Sequence, residues 1–213
     1  DNKIAWYEHN ATPTLDPIAD LTIDEDAPEQ SIGLTGITAG GSEVQPLRVT
    51  ATSDTTSLIP HPAVTVLNSS GDLTFTPEAN QYGVATITVT VEDGGLDNDL
   101  ATTADNASFV RTFDVTVNPV NDPPHDIQLD PSTVLENRPV DTLVGDLTVS
   151  DVDGIQAPFV PVVYQLIAGA GDDHNSLFRI DGTRVRTTTP IDYESVPVAS
   201  IRVHATDADG LTF

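Results

Sequence analysis

The sequence predicts an all-β protein of two tandem Greek-key β-sandwiches, the second lacking its last strand. Three observations carry this. First, apolar residues and Thr alternate with period two over 85–91, 112–117 and 200–205. That is the pattern of strands with one face in a core, and β-branched residues dominate these runs. Second, Gly, Asn, Asp and Pro clusters interrupt the chain roughly every 8–12 residues, the turn spacing of a sandwich of about seven short strands. Third, the chain repeats itself. Asn10-Ala11-Thr12-Pro13 returns as Asn121-Asp122-Pro123-Pro124, and Ile23-Asp24-Glu25-Asp26-Ala27-Pro28 as Val134-Leu135-Glu136-Asn137-Arg138-Pro139, each 111 residues later. Thr90-Val91-Glu92-Asp93-Gly94 returns as His204-Ala205-Thr206-Asp207-Ala208 at an offset of 114.

These echoes divide the chain into an N-terminal tail (1–13), a first sandwich (14–122) and a second (123–213). Beyond Asp93 the first copy runs on through a strand at 109–117, whereas six residues follow Asp207. The second copy is therefore expected to lack its final strand and to expose an edge able to pair with another chain. The polar stretch 94–106 is expected to be an exposed, mobile excursion between two strands.

Charge and composition exclude several functions. The chain has 33 Asp+Glu against 8 Lys+Arg, a net charge of −25 over 213 residues, and no Cys or Met. With 38% hydrophobic residues it can still bury sizeable cores. A nucleic-acid partner needs a basic footprint, and the sign here is opposite. No apolar run approaches the ~20 residues of a membrane helix, so the chain is not expected to span one. Without Cys there is no disulfide, thiolate metal site or Cys nucleophile. Lacking an initiator Met and a signal peptide, the sequence reads as a stretch of a longer chain.

Enzyme motifs also fail. There is no G-x-S-x-G and no phosphate-binding loop. His9, His61, His125, His174 and His204 are scattered, without the spacing of a zinc site. The segment from Asp151 lacks the closing Glu of an EF-hand loop. Acids at the ends of a sandwich lack the walled cleft of a glycosidase. Trp6, the sole Trp, lies in the tail, which argues against a sugar-stacking platform. No catalytic residue is expected.

In the second copy an ordered series stands out: Glu136-Asn137-Arg138-Pro139, Asp151-Val152-Asp153, Phe178-Arg179-Ile180-Asp181, Ile191-Asp192-Tyr193-Glu194 and Ala205-Thr206-Asp207. It resembles the cadherin repeat, with its E-x-x-P, D-x-D, F-x-I-D, L-D-Y-E and A-x-D elements. The first copy is similar to the cadherin-like or Ig-like repeat of large calcium-dependent bacterial surface adhesins. It does so through Asp24-Glu25-Asp26, Leu73-Thr74-Phe75-Thr76-Pro77, Val91-Glu92-Asp93-Gly94-Gly95 and Val120-Asn121-Asp122-Pro123-Pro124. The opening Asp1-Asn2-Lys3-Ile4-Ala5-Trp6-Tyr7-Glu8 resembles the end of a propeller-blade repeat, which here would be an orphaned tail.

The resemblance implies calcium between consecutive sandwiches, held by six to eight oxygens at ~2.3–2.6 Å. It implies Glu25, Glu78, Asn80, Asn121 and Asp122 from the first copy and linker, and Asp151, Asp153 and Asp207 from the second. Asp and Gly favour turns in any case, so only the combination around Asn121 and Asp122 points to metal. Pro119 and Pro123 replace two ligand positions of the cadherin linker, which favours one or two ions over three and stiffens the linker by itself. Glu136, Asp192 and Glu194 would serve a junction after the second copy and are expected to bind weakly or not at all. For a junction before the first copy only Glu43 and Asp93 remain, a poor site. The implied role is an extracellular, cell-surface adhesion or stalk module of a large bacterial protein, with a cell-surface protein or glycan as partner, homophilic pairing among the options. A carbohydrate-binding module and a metal-independent spacer are the alternatives.

Overall fold

The computed structural model describes residues 9–152 and 162–213. The expectations for residues 1–8 and for Asp153 lie outside them. The chain divides into two compact units, 1–120 and 121–213.

In the first unit the strands are β1 (Leu21–Asp24), β2 (Gln30–Leu34), β3 (Leu47–Ser53), β4 (Ala63–Leu67), β5 (Ser70–Phe75), β6 (Gly83–Asp93) and β7 (Ser108–Asn118). They form one sheet in the order β1-β7-β6-β3 and another in the order β2-β5-β4. Every pairing is antiparallel except β1 with β7, which is parallel. The chain thus alternates between sheets as a Greek-key sandwich does. Its entry is shared by both sheets: Thr14 bridges Thr38 and the Asp16 N–H donates to Thr35 O before β1 crosses to β7.

Alternation explains the core. On β6, Ala85, Ile87, Val89 and Val91 are each 0% exposed, while the intervening Thr residues face outward. Phe113, Val115 and Val117 of β7 extend this face, and Leu34, Ile59 and Leu73 complete the core from the facing sheet and its loops. The eleven-residue β6 and β7 pair from Gly83↔Val117 to Glu92↔Ser108, so one long hairpin is the spine of this unit.

The second unit contains β8 (His125–Asp130), β9 (Leu143–Ser150), β10 (Val163–Leu166), a 3-10 turn (Asn175–Leu177), β11 (Phe178–Asp181), β12 (Arg184–Thr187) and β13 (Val203–Thr206). One sheet has the order β11-β12-β9-β8; β10 and β13 form the other. Val144, Leu147, Tyr164, Phe178, Val185 and Ala205 are its core. No counterpart of β7 as a full strand is present among the described residues. In its place residues 211–213 turn back on β13: Ala205 and Phe213 exchange two backbone hydrogen bonds of 3.0 Å, and Thr206 bridges Thr212.

The segment 132–135 sits at the repeat offset from β1 but forms no ladder. β1 exists because β7 supplies its hydrogen-bond partners, and 132–135 has no such neighbour. A groove of about 470 Å³ opens there, lined by Val134, Phe178, Val185, Ile191 and Ile201 among others.

The burial pattern sets mutational costs. Ile87→Ala removes a 0%-exposed side chain from the spine and should cost about 2–5 kcal/mol in denaturant unfolding. Val110→Ala, on the outer face of β7 at 51% exposure, should stay within about 0.5 kcal/mol. Equal costs would refute this assignment of faces.

Candidate functional site

Strand register gathers the polar residues of the first unit at two poles. Leu47↔Asp93 and Ser108↔Glu92 bring the start of β3, the end of β6 and the start of β7 to one end. Asp24↔Asn118 and Gly83↔Val117 bring the ends of β1 and β7 and the start of β6 to the other. The first is called here the head and the second the foot, from which the chain leaves towards residue 121.

At the foot, Glu25 is 4% exposed, an unusual place for a carboxylate. Its N–H extends the ladder to Asn118 O (2.9 Å) and its Oε1 accepts the Val120 N–H (2.6 Å). Asp26 and Asn80 both adopt left-handed backbone, φ 58° and 55°. The Asn80 N–H donates to Asp26 Oδ1 (3.0 Å), which ties the β5–β6 turn to the turn after β1. Glu78, exposed, is fixed through its own N–H to Leu58 O (2.9 Å). Glu25 and Asn80 are thus both placed at the foot, with Asp26 as an unanticipated bridge to Asn80. The signals for Asp26 were its place in an acidic run and the tolerance of Asp for αL turns.

In the second unit Asn121 Nδ2 donates to Asp207 Oδ2 (2.8 Å). Asp207 Oδ1 accepts the N–H groups of Asp209 (2.9 Å) and Leu211 (2.8 Å). Burial pushes the Asp207 carboxyl up, but these bonds, the Asn121 amide foremost, outweigh it and leave its pKa below the ordinary carboxylate value. Asp122 and Asp151 are half-buried, Asp122 next to Asn121 and Asp151 just after β9.

The head of the first unit repeats the same clasp. Asn10 Nδ2 donates to Asp93 Oδ1 (3.0 Å), at the positions 111 and 114 residues before Asn121 and Asp207. Asp93 Oδ1 also accepts the N–H groups of Gly95 (3.0 Å) and Ala107 (2.8 Å). Residues 94–106 are largely exposed, as expected, but they are laced by their own carboxylates: Leu96 N–H to Asp105 Oδ2, Ala101 N–H to Asp99 Oδ1, and Thr102 Oγ1 to Asp97 Oδ2.

Elsewhere, Glu136, Asp192 and Glu194 each offer a carboxylate oxygen, all within 4.8 Å of one another, and all three are exposed. Local bonds hold them: Tyr193 N–H to Glu136 Oε2 (3.2 Å), and Ser195 Oγ to Asp192 Oδ2 (2.7 Å). The Ser195 hydroxyl is the foremost cause of the lowered Asp192 pKa. This is the one such group of three acids among the described residues. In the first unit Asn80 replaces the third carboxylate at the corresponding positions.

Residues 10–105 match the family model for a bacterial Ig domain. No curated protein sequence matches the chain. Among solved structures, the fold is similar to mouse cadherin-23 EC22-24 (TM-score 0.56, 18% identity, 94% of this chain and 61% of that one). It is similar to protocadherin gamma C5 EC1-3 (TM-score 0.56, 18% identity, 95% and 65%). It also resembles human CDH23 EC21-23 (TM-score 0.52, 19% identity, 95% and 62%). The chain spans less than two thirds of the length of each of these structures.

The lowered Asp207 pKa gives a pH test. A carboxyl whose folded pKa is depressed stabilises the fold above its unfolded value and loses that contribution as pH falls through the folded one. In chelator, the melting gap between the wild type and Asp207→Asn should be constant near neutrality and close in acid, below the ordinary Asp range. A gap that widens in acid would contradict the assignment.

Proposed function

We propose that this pair of bacterial Ig-like, cadherin-like repeats is a non-catalytic extracellular adhesion or stalk module of a large bacterial surface or secreted protein, stiffened by calcium around its linker. The observation that carries the reading is the capture of two consecutive linker residues. Glu25 takes the N–H of Val120, and Asp207 takes the amide of Asn121. Carboxylates are thus committed to the linker within each unit, where a cation would neutralise them. Glu25, Glu78, Asn80, Asn121, Asp122, Asp151, Asp153 and Asp207 are the proposed ligand set. Carboxylate and amide oxygens are the donors a hard divalent cation takes. Bound calcium supplies charge neutralisation, and the protein's part is to hold oxygens in place.

A net charge of −25 makes the physical logic general. Clustered carboxylates repel one another, and a divalent ion converts that repulsion into a cross-link. The proposed partner is a cell-surface protein or glycan, met by homophilic pairing or otherwise. The edge expected to be free is covered on β13 by residues 211–213, so the groove beside 132–135 is the second surface proposed. Among the described residues no helix is long and apolar enough to cross a membrane.

The metal-independent spacer is the competing reading, favoured by the stiffness of Pro119, Pro123 and Pro124. Thermal melting separates the two. Calcium at a hundredfold excess over its Kd adds ~2.7 kcal/mol, which should raise the melting midpoint by about 10 °C or more for a ~100-residue unit relative to chelator. Asp207→Asn should remove most of that rise. An unchanged midpoint, with unchanged small-angle scattering, would leave the spacer.

A further inference from the structure

We infer that the groove of the second unit is a strand-acceptor site, which takes an extended segment of a partner polypeptide carrying aromatic or β-branched residues at alternate positions. It rests on the reading of this groove as a second surface and is independent of calcium.

The first unit shows what such a groove holds. There β7 lies between β1, its parallel neighbour, and β6, its antiparallel one. The inward row of β7 is Phe113, Val115 and Val117, each at most 2% exposed. Phe113 stands opposite Ile87, Val115 opposite Ala85 and Leu21, and Val117 opposite Gly83 and Ile23. The repeat offsets, 114 for β6 and 111 for β1, carry those five partners onto Ile201, Ala199, Ser132, Pro197 and Val134. All five line the groove. The register is already begun. Ala205 and Phe213 exchange two backbone bonds where the equivalent Val91 pairs with Phe109, and Thr206 bridges Thr212 where Glu92 pairs with Ser108. The places that 110–118 fill in the first unit lie next along this edge.

The backbone beside the groove is open. Ser200 and Arg202 spend their polar groups on the opposite edge: their N–H groups donate to His174 Nδ1 (3.1 Å) and Asn175 Oδ1 (2.9 Å), and their carbonyls accept from His174 (3.0 Å) and Ile167 (3.1 Å). Alternation along an extended chain then turns the groups of Ala199 and Ile201 towards the groove, and among the described residues no backbone bond reaches them. Phe178 and Val185 supply an apolar wall, and Glu136 is the one charged residue of the lining. An open backbone edge above an apolar trough is what strand addition uses: main-chain bonds give affinity, and pockets for alternate side chains give specificity. With a net charge of −25 on the chain, an uncharged or basic segment meets no repulsion. All thirteen strands among the described residues are engaged in this chain's own sheets, so a second copy has none to spare.

The test adds a synthetic peptide of residues 110–118, the occupant of the equivalent place, to the whole chain in chelator. Binding is read by isothermal titration and by amide hydrogen exchange. One peptide should bind per chain and slow exchange at 132–135 and 199–203. The same peptide with Phe113→Thr, Val115→Thr and Val117→Thr keeps its strand propensity but loses the apolar row, and should bind about tenfold more weakly or worse. In the chain, Val134→Arg places a charge at a half-exposed position of the groove. It should weaken binding to the same degree and leave the melting midpoint of the free chain unchanged. No binding, equal binding of the two peptides, or protection elsewhere in the chain would overturn the site, and none of these needs the variant to fold. Dimers of the chain alone that protect the same amides would assign the groove to a second copy and overturn the partner strand. Because every arm runs in chelator, failure of the calcium reading leaves these outcomes untouched.

Discussion

A carboxylate removed from water must have its charge met by donors that the surrounding chain holds in place. Asp93 is that group in the first unit, and the head is arranged around it. Three segments surrender a donor to one oxygen: Asn10 from the entering chain, Gly95, two residues beyond Asp93, from the start of the long hairpin loop, and Ala107 from its end. Position 95 is glycine because its backbone is left-handed (φ 63°) and a Cβ there would meet Asp105 and Asn106. Asp207 repeats the scheme in the second unit with Asn121, Asp209 and Leu211. The repeat in the sequence is therefore a repeat of a physical device, and each device closes the end of a sandwich where its chain enters.

Pairing has the same all-or-nothing character. β1 is a strand because β7 lies beside it; the corresponding segment 132–135 has the right residues but no partner, and it stays irregular. Burial tracks the same difference. The spine of the first unit buries a row of side chains to 0% exposure, while in the second unit Val134, Ile191 and Ile201 border a groove instead of a closed core.

The acidic composition is divided among these structures. Some carboxylates cap backbone donors at the poles, as Glu25, Asp26, Asp93 and Asp207 do. Others lace loops, as Asp97, Asp99 and Asp105 do. Glu136, Asp192 and Glu194 form an exposed trio. Charge that reads in the composition as a single excess is, in the fold, partly a supply of acceptors for backbone N–H groups that no ladder satisfies.

The sequence alone was enough for the all-β class, the long alternating strands and the repeat. Period-two burial and turn residues are local properties, and a repeat offset is visible without any contact. The clasps of Asn10 to Asp93 and of Asn121 to Asp207 sit at those repeat offsets, but that the amide and carboxylate meet is visible only in the structure. Two things waited for the tertiary structure: the bridge from Asp26 to Asn80 and the tethering of the 94–106 excursion. The first joins segments 54 residues apart and the second ties a loop to itself, each through a side-chain oxygen and a donor. Strand register decides which oxygens face which donors, and register is set by packing across the whole sandwich.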